Sequence, residues 1–304
     1  MIAPQIIREL RTIVGEKNVL TSPEDLVAYS YDATFLEHRP EAVVLPGSTE
    51  EVSEVMKVAY REGIPVIPRG MGSGLAGGSI PFSGGIVLCL TRMNRILEID
   101  EENMTAWVEA GVITAEFQAE VEKRGLFYPP DPSSHKYSTI GGNVACNAGG
   151  PRCLKYGVTG DYVLGMKVVL ADGRILRTGG KVIKNATGYN LSRFFIGTEG
   201  TLGVITEVLL KLISKPRYAS TAFAVFPKIE DAGRAVHRIL LAGIIPASIE
   251  LMDQTTIGTV EEYLHLGLPT WAEAILILES DGNQEEAVSR EIEAIARICR
   301  ENGA

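Results

Sequence analysis

The chain has 304 residues, 45% of them hydrophobic, with 29 basic against 38 acidic side chains and a formal charge of −9. That balance disfavours non-specific nucleic-acid binding, which rests on basic patches, and no apolar run reaches membrane-spanning length. The length accommodates two domains. The N-terminus alternates charged and apolar residues and lacks the basic start and continuous apolar core of a signal peptide, so the cytoplasm is the expected compartment.

Ile6, Ile7, Leu10 and Val14 share one helical face that Gly15 ends. Ser22-Pro23 predicts a second short helix, a cap followed by proline at the first helical position. Tyr29–Pro40 reads as irregular, and Ala42–Leu45 as a strand. Ser48-Thr-Glu-Glu51 predicts a capping box, opening a helix that buries Val52, Val55, Met56 and Ala59 and stops at Gly63. The apolar run Ile64–Ile67 then leads into Pro68–Pro81, PRGMGSGLAGGSIP.

This run places glycine at 70, 72, 74, 77 and 78. Glycines leave successive N–H groups unobstructed and take positive φ cheaply, so such a loop can wrap an anion. Arg69 adds a cation at its entrance. Gly72–Gly77 matches G-x-G-x-x-G, yet Ser79-Ile80-Pro81 and Gly84-Gly85 follow where a dinucleotide fingerprint needs a helix. The expectation is a phosphate-bearing ligand held by loop amides; the alternative is a glycine-rich hairpin loop with no ligand.

Further along, Ile96–Ile99 and Ala106–Glu109 read as strands, and Thr114 as the cap of a helix carrying Phe117 and Val121. Tyr128–Ser134, YPPDPSS, suits neither helix nor central strand. Val163–Leu170, Asp172-Gly173 and Ile175–Arg177 predict a hairpin. Phe194–Ile196 and Leu202–Leu212 read as extended chain. Beyond a boundary at Ser214–Arg217, strands at Ala222–Phe226, Ser248–Met252 and Ala274–Glu279 alternate with helices at Ile229–Leu241 and Glu285–Arg300, which implies an open α/β sheet. The four cysteines, Cys89, Cys146, Cys153 and Cys299, form no C-x-x-C pair and read as reduced, buried residues, and no metal site is expected.

A second glycine-rich run, Thr139–Gly150 (TIGGNVACNAGG), predicts a short helix capped by Thr139, with Gly141 and Gly142 in its first turn and Asn143 and Asn147 offering donors and acceptors. The alternative is close helix packing through small residues. A third, Gly197–Gly203, precedes a strand and could equally be an ordinary turn.

With PPDPSS, KYGVTGDYV and VIKNATGYNLSRFFIGTEGTLGVIT in the same order, these runs resemble the FAD-binding module of the vanillyl-alcohol oxidase / p-cresol methylhydroxylase superfamily. The D-2-hydroxy-acid dehydrogenases, with the glycolate oxidase flavoprotein subunit and D-lactate dehydrogenase, are the group most resembled. The resemblance covers Ala42–Leu212 strongly and, through PASIELMD, the beginning of the family's substrate domain. It implies an α+β fold: N-terminal helices and a two-lobed PCMH-type FAD-binding domain over 1–215 (core about 40–213), then over 216–304 the start of an α/β, ferredoxin-like substrate domain.

By resemblance, Arg69, Gly70, Met71, Gly72, Ser73, Gly74 and Leu75 wrap the FAD pyrophosphate, with Ser79 near it. Pro130, Asp131, Pro132 and Ser133 line the isoalloxazine. Thr139, Ile140, Gly141, Gly142, Asn143, Ala145, Asn147, Ala148, Gly149 and Gly150 follow the ribityl and pyrophosphate. Glu199, Gly200, Gly203, Val204 and Ile205 hold the adenosine end. Some members attach FAD through a histidine. Here the loop carries Gly78-Ser79, and His135 reads as a surface or pocket residue, so the expected cofactor is non-covalent FAD.

The implied reaction removes a hydride from the α-carbon of a small 2-hydroxy acid of the glycolate or D-lactate class. The flavin carries the electronic work, while the protein positions substrate and supplies base and charge. The family's histidine-containing HxGDGNxH-type segment, associated with metal and base, is absent. Glu279–Asn283 (ESDGN) lacks both histidines and reads as a turn with a helix cap. His237 and His265 read as packing or surface residues, Arg39 as a surface cation or a residue facing the flavin, and the catalytic base stays unassigned. The chain is thus expected to be C-terminally shortened, to bind FAD while turning over substrate poorly, to expose a sheet face, and to act as an oligomer or complex subunit with an iron–sulfur or flavoprotein electron acceptor, reaching the membrane only through partners. The alternative is a flavin-binding electron-transfer or scaffold subunit without its own base. Alditol oxidases and the reductase of cell-wall precursor synthesis share the same module.

Overall fold

The computed structural model describes residues 2–304. Its contacts gather into two compact units, Met1–Ala148 with Val158–Ser214, and Gly149–Gly157 with Lys215–Ala304.

The first unit opens with α1 (Pro4–Val14), which buries Ile6, Leu10 and Val14 as its spacing predicts. Then come β1 (Val19–Leu20) and α2 (Pro23–Val27), where the Ser22 hydroxyl accepts from the Asp25 amide at 3.2 Å. β2 (Ala42–Val44), α3 (Thr49–Glu62), β3 (Val66–Arg69) and β4 (Ile86–Cys89) complete the first lobe. The sheet order is β1-β2-β4-β3, with β4 parallel to both β2 and β3. Parallel neighbours need a crossover, and α3 supplies it between β2 and β3. Its cap departs from the expected box. Ser48 accepts from the Glu51 amide at 3.1 Å, but the Glu51 carboxylate reaches past Ser48 to the Gly47 amide at 2.7 Å. Val52, Val55 and Met56 of α3, Leu10 and Val14 of α1, and Ile86 and Leu88 of β4 share one core.

The second lobe holds β5 (Ile96–Asp100), β6 (Thr105–Glu109), α4 (Thr114–Glu122), β7 (Leu126–Phe127) and α5 (Ile140–Cys146), then β8 (Val163–Val169) and β9 (Ile175–Gly179). Its sheet, β5-β6-β10-β8-β9, is antiparallel throughout, with β10 (Val204–Lys211) at its centre. β11 (Ile213–Ser214) pairs with β7. Two expectations change. Thr114 lies inside α4 instead of capping it, because its hydroxyl donates to the Ser138 carbonyl at 3.0 Å. Phe194 and Phe195, expected as extended chain, belong to the short helix Leu191–Phe195, whose Asn190 side chain caps the Arg193 amide at 3.1 Å.

The second unit begins with the short helix α6 (Cys153–Tyr156) and continues with β12 (Tyr218–Phe226), α8 (Ile229–Leu241), β13 (Ser248–Asp253), α9 (Gln254–Leu264), β14 (Ala274–Gly282) and α10 (Glu285–Glu301), α7 being Leu191–Phe195 above. The sheet is open, but β14 runs between β12 and β13 and antiparallel to both. Ala224, Phe226, Leu276 and Leu278 pack on Ala235, Ile239 and Ile295, while Phe223 on the opposite face stays half exposed. Helix α9 has no apolar run to announce it; Asp253 caps it through the Thr256 amide at 2.8 Å. Among the described residues no helix is long and apolar enough to cross a membrane.

Candidate functional site

Parallel strand β3 delivers Arg69 to its C-terminal end, where open sheets place their ligand crevices. Arg69 is 6% exposed. Its Nη1 donates to the Tyr31 carbonyl at 2.7 Å and to the Ser79 hydroxyl at 3.3 Å. Burial pulls this guanidinium below its ordinary pKa, with nearby groups including Asp32 partly restoring it. The loop beyond it contains no helix. Gly72 takes φ +69°, and a Cβ there would run into the Arg69 guanidinium. A Cβ on Gly70 would strike the Thr139 hydroxyl, and one on Gly78 the Glu199 carboxylate. The three glycine-rich runs are thus in contact with one another.

Helix α5 forms as its cap predicts, with the Thr139 hydroxyl accepting from the Gly142 amide at 3.2 Å. The Gly141 amide donates to the Ala110 carbonyl at 2.8 Å. The two asparagines are occupied by the fold. Asn143 donates to the Thr114 hydroxyl at 2.7 Å, and Asn147, left-handed at φ 50°, accepts from the Gly160 amide at 2.8 Å.

Between the runs lies a cavity of about 160 Å³, lined from the loop by Arg69, Gly70, Met71, Gly72, Ser73, Gly74 and Ser79 and from α5 and its flanks by Thr139, Gly142, Asn143, Ala145 and Ala148, with Glu199. An adjoining cavity of about 50 Å³ adds Gly141, Gly200 and Ile205. Of the other expected residues, Leu75 points to solvent, Ile140 and Val204 are packed in the interior, and a Cβ on Gly203 would lie 2.6 Å from Val168. Asn147 serves as the C-cap of α5. Gly149 and Gly150 fall in the second unit.

Pro130–Ser133 line neither cavity. Their turn is held from behind. Gln118 donates to the Pro130 carbonyl at 2.9 Å, and His135 Nδ1 lies 3.1 Å from the Pro132 carbonyl. Beneath them Tyr128, fully buried, packs edge-on against Phe117 and Tyr162, and burial pushes its phenol pKa up. The sequence reading missed Asp32, Pro68, Ala76, Gly78, Ser134, Ser138 and Cys146, which line the larger cavity, and Leu90 and Ala110 in the smaller. Gly78 stood inside the quoted loop. Asp32 had only the Asp-x-Thr spacing of an Asx turn to mark it. Cys146, expected to be buried, is exposed.

The FAD binding domain family matches residues 40–179, and the C-terminal domain of FAD linked oxidases matches 215–304. The chain thus carries two domains of the FAD-linked oxidase family. It is 48% identical over 305 residues to glycolate oxidase subunit GlcD of Bacillus subtilis (strain 168), and 38% identical over 311 residues to D-lactate dehydrogenase of Anaerostipes hadrus. Each alignment covers all of this chain and 65% of the relative, so the chain spans about two-thirds of the length of these curated relatives. Among solved structures, p-cresol methylhydroxylase shares the fold at a TM-score of 0.81 and 21% identity, covering 98% of this chain and 64% of that one. An alkyldihydroxyacetonephosphate synthase does so at 0.84 and 24%, covering 99% and 60%.

FAD is the cofactor that this family binds, and the residues present fit it. Arg69 supplies a buried cation, the usual partner of phosphate oxygens. Gly70, Gly72 and Gly78 hold the walls where side chains could not fit. Elsewhere the lining is poor in reactive groups. Its ionisable side chains are Asp32, Arg69, Cys146 and Glu199, and no histidine lines either cavity. His38, His237 and His265 are exposed, as is Arg39. The ESDGN segment is no turn with a cap. β14 runs through Asp281, which is 7% exposed and accepts from the Tyr156 hydroxyl at 2.7 Å and from the Lys155 ammonium. Helix α10 starts after Gln284 without a side-chain cap.

Proposed function

We propose that the protein is an FAD-dependent oxidoreductase acting on a small D-2-hydroxy acid of the glycolate or D-lactate class, with FAD held non-covalently. The observation that carries this reading is the cavity in which three glycine-rich runs meet around buried Arg69. The names of the relatives supply the substrate class. Bound FAD supplies a two-electron acceptor for the hydride of the substrate α-carbon. Arg69 would neutralise phosphate charge, the loop amides of 70–74 would approach the phosphate oxygens, and Thr139–Ala145, Glu199, Gly200 and Ile205 would enclose the rest. Residues 1–215 form the cofactor module in this proposal, and 216–304 contribute to the substrate side.

A second reading is favoured by one observation. The cavity lining lacks an imidazole, and Asp281 is committed to Lys155 and Tyr156. On that reading the chain holds flavin for electron transfer, or as a scaffold, inside an assembly. An iron–sulfur or flavoprotein subunit is the proposed electron acceptor in either case, since relatives are named as a subunit. Anaerobic absorbance with D-lactate, glycolate, D-2-hydroxyglutarate and L-lactate tests the choice. Saturable bleaching of the flavin band by a D-acid or glycolate, and not by L-lactate, supports the dehydrogenase. Bleaching by dithionite alone favours the second reading.

A further inference from the structure

Asp32 lies in the irregular segment Tyr29–Pro40 and lines the larger cavity together with the glycine loop. It is 4% exposed. Its Oδ1 is satisfied twice, by the amide and the hydroxyl of Thr34. Its Oδ2 is buried with no hydrogen-bond partner among the described residues. A buried carboxylate oxygen left without a donor is costly. The segment is also fixed, because Ala33 donates to the Gly74 carbonyl at 3.1 Å and the Tyr31 carbonyl accepts from Arg69. Asp32 therefore borders the ligand space while its buried Oδ2 is left an unsatisfied acceptor.

Phosphate oxygens cannot satisfy it, since they are acceptors themselves and of the same charge. The hydroxyls of a sugar or sugar alcohol can, and carboxylates recognise nucleotide ribose in this way in other folds. We propose that Asp32 is a cofactor-recognition residue whose Oδ2 accepts a hydrogen bond from a hydroxyl in the polyol part of FAD. Arg69 and Asp32 then divide the dinucleotide between them, the cation taking the phosphates and the carboxylate an adjoining hydroxyl. This inference rests on the reading of the cavity as the FAD site.

The test is titration of the deflavinated 304-residue chain and its D32N variant with FAD, FMN and ADP, followed by flavin fluorescence or calorimetry. Asparagine keeps the acceptor for Thr34 and puts a donor in place of Oδ2. FAD should bind about ten- to a hundredfold more weakly to D32N, while the melting temperature of the apoprotein holds or rises. One fragment should follow FAD. Weakened FMN with unchanged ADP identifies a ribityl hydroxyl, and weakened ADP with unchanged FMN a hydroxyl of the adenosine ribose. Every other pattern overturns the assignment, including FAD affinity within threefold of the parent or a loss of all three ligands together. Failure of the parent chain itself to bind FAD would instead overturn the reading of the cavity.

Discussion

The loop Pro68–Pro81 and the helical run Thr139–Cys146 both gather glycines around one cavity, but glycine does different work in each. In the loop it supplies conformation: Gly72 and Gly77 take φ of +69° and +75°, and no helix follows. In the helix it supplies closeness: at Gly141 a Cβ would sit 2.5 Å from the Ala110 Cβ and 2.9 Å from its carbonyl oxygen. A glycine count cannot separate these uses. The neighbours can, since Ser79-Ile80-Pro81 forbids a helix in one case and the Thr139 cap starts one in the other.

The contrast breaks if both sites respond alike to bulk. Gly72→Val should have the largest effect on cofactor, reducing FAD retention more than a hundredfold in a chain whose circular dichroism is preserved, because the added side chain enters the space of Arg69 and the ligand. Gly141→Val should act on the fold first. Overpacking against backbone costs about 1–3 kcal/mol or more, so the apoprotein should melt several degrees lower in calorimetry. Equal melting temperatures for the two variants would remove the distinction.

The second unit sharpens the comparison, since its specific contacts are ionic instead of glycine-based. Lys155→Met leaves buried Asp281 with Tyr156 but without its cation. Loss of one partner of a buried pair costs about 3–5 kcal/mol, and Lys155 is partly exposed, which places the expected loss near the lower end in urea unfolding. FAD affinity should move little. A surface contact should give the smallest response. Lys181 bonds Asp100 at 2.7 Å and Glu98 at 2.9 Å, and holds the Asp100 carboxyl down at about 2. A depressed carboxylate stabilises the fold above its unfolded pKa and loses that contribution as pH falls through the folded value. The melting difference between parent and Lys181→Met should therefore be full above about pH 4 and vanish toward pH 2.

Most of the first unit was legible because its signals are local. The Ile6/Leu10/Val14 spacing, the Ser22 and Thr139 caps and the Asp172-Gly173 turn each specify structure within a few residues. What escaped depends on distant partners. Thr114 leaves its cap role because Ser138 lies within reach, and Asp281 is drawn into a strand interior by Lys155 and Tyr156, more than a hundred residues earlier. In the site, the glycines and Arg69 were readable as an anion cradle. Asp32 was not, because burial is what turns an ordinary carboxylate into an unsatisfied acceptor beside the cavity.

The central claim is that the cavity around Arg69 holds FAD without a covalent bond. The most direct measurement is acid precipitation of the purified chain, followed by FAD titration of the deflavinated parent and of Arg69→Met. The account predicts yellow flavin in the supernatant, saturable rebinding of FAD by the parent, and rebinding weakened at least a hundredfold by the loss of the buried cation. Flavin that stays with the pellet, or a variant that rebinds FAD like the parent, would contradict it.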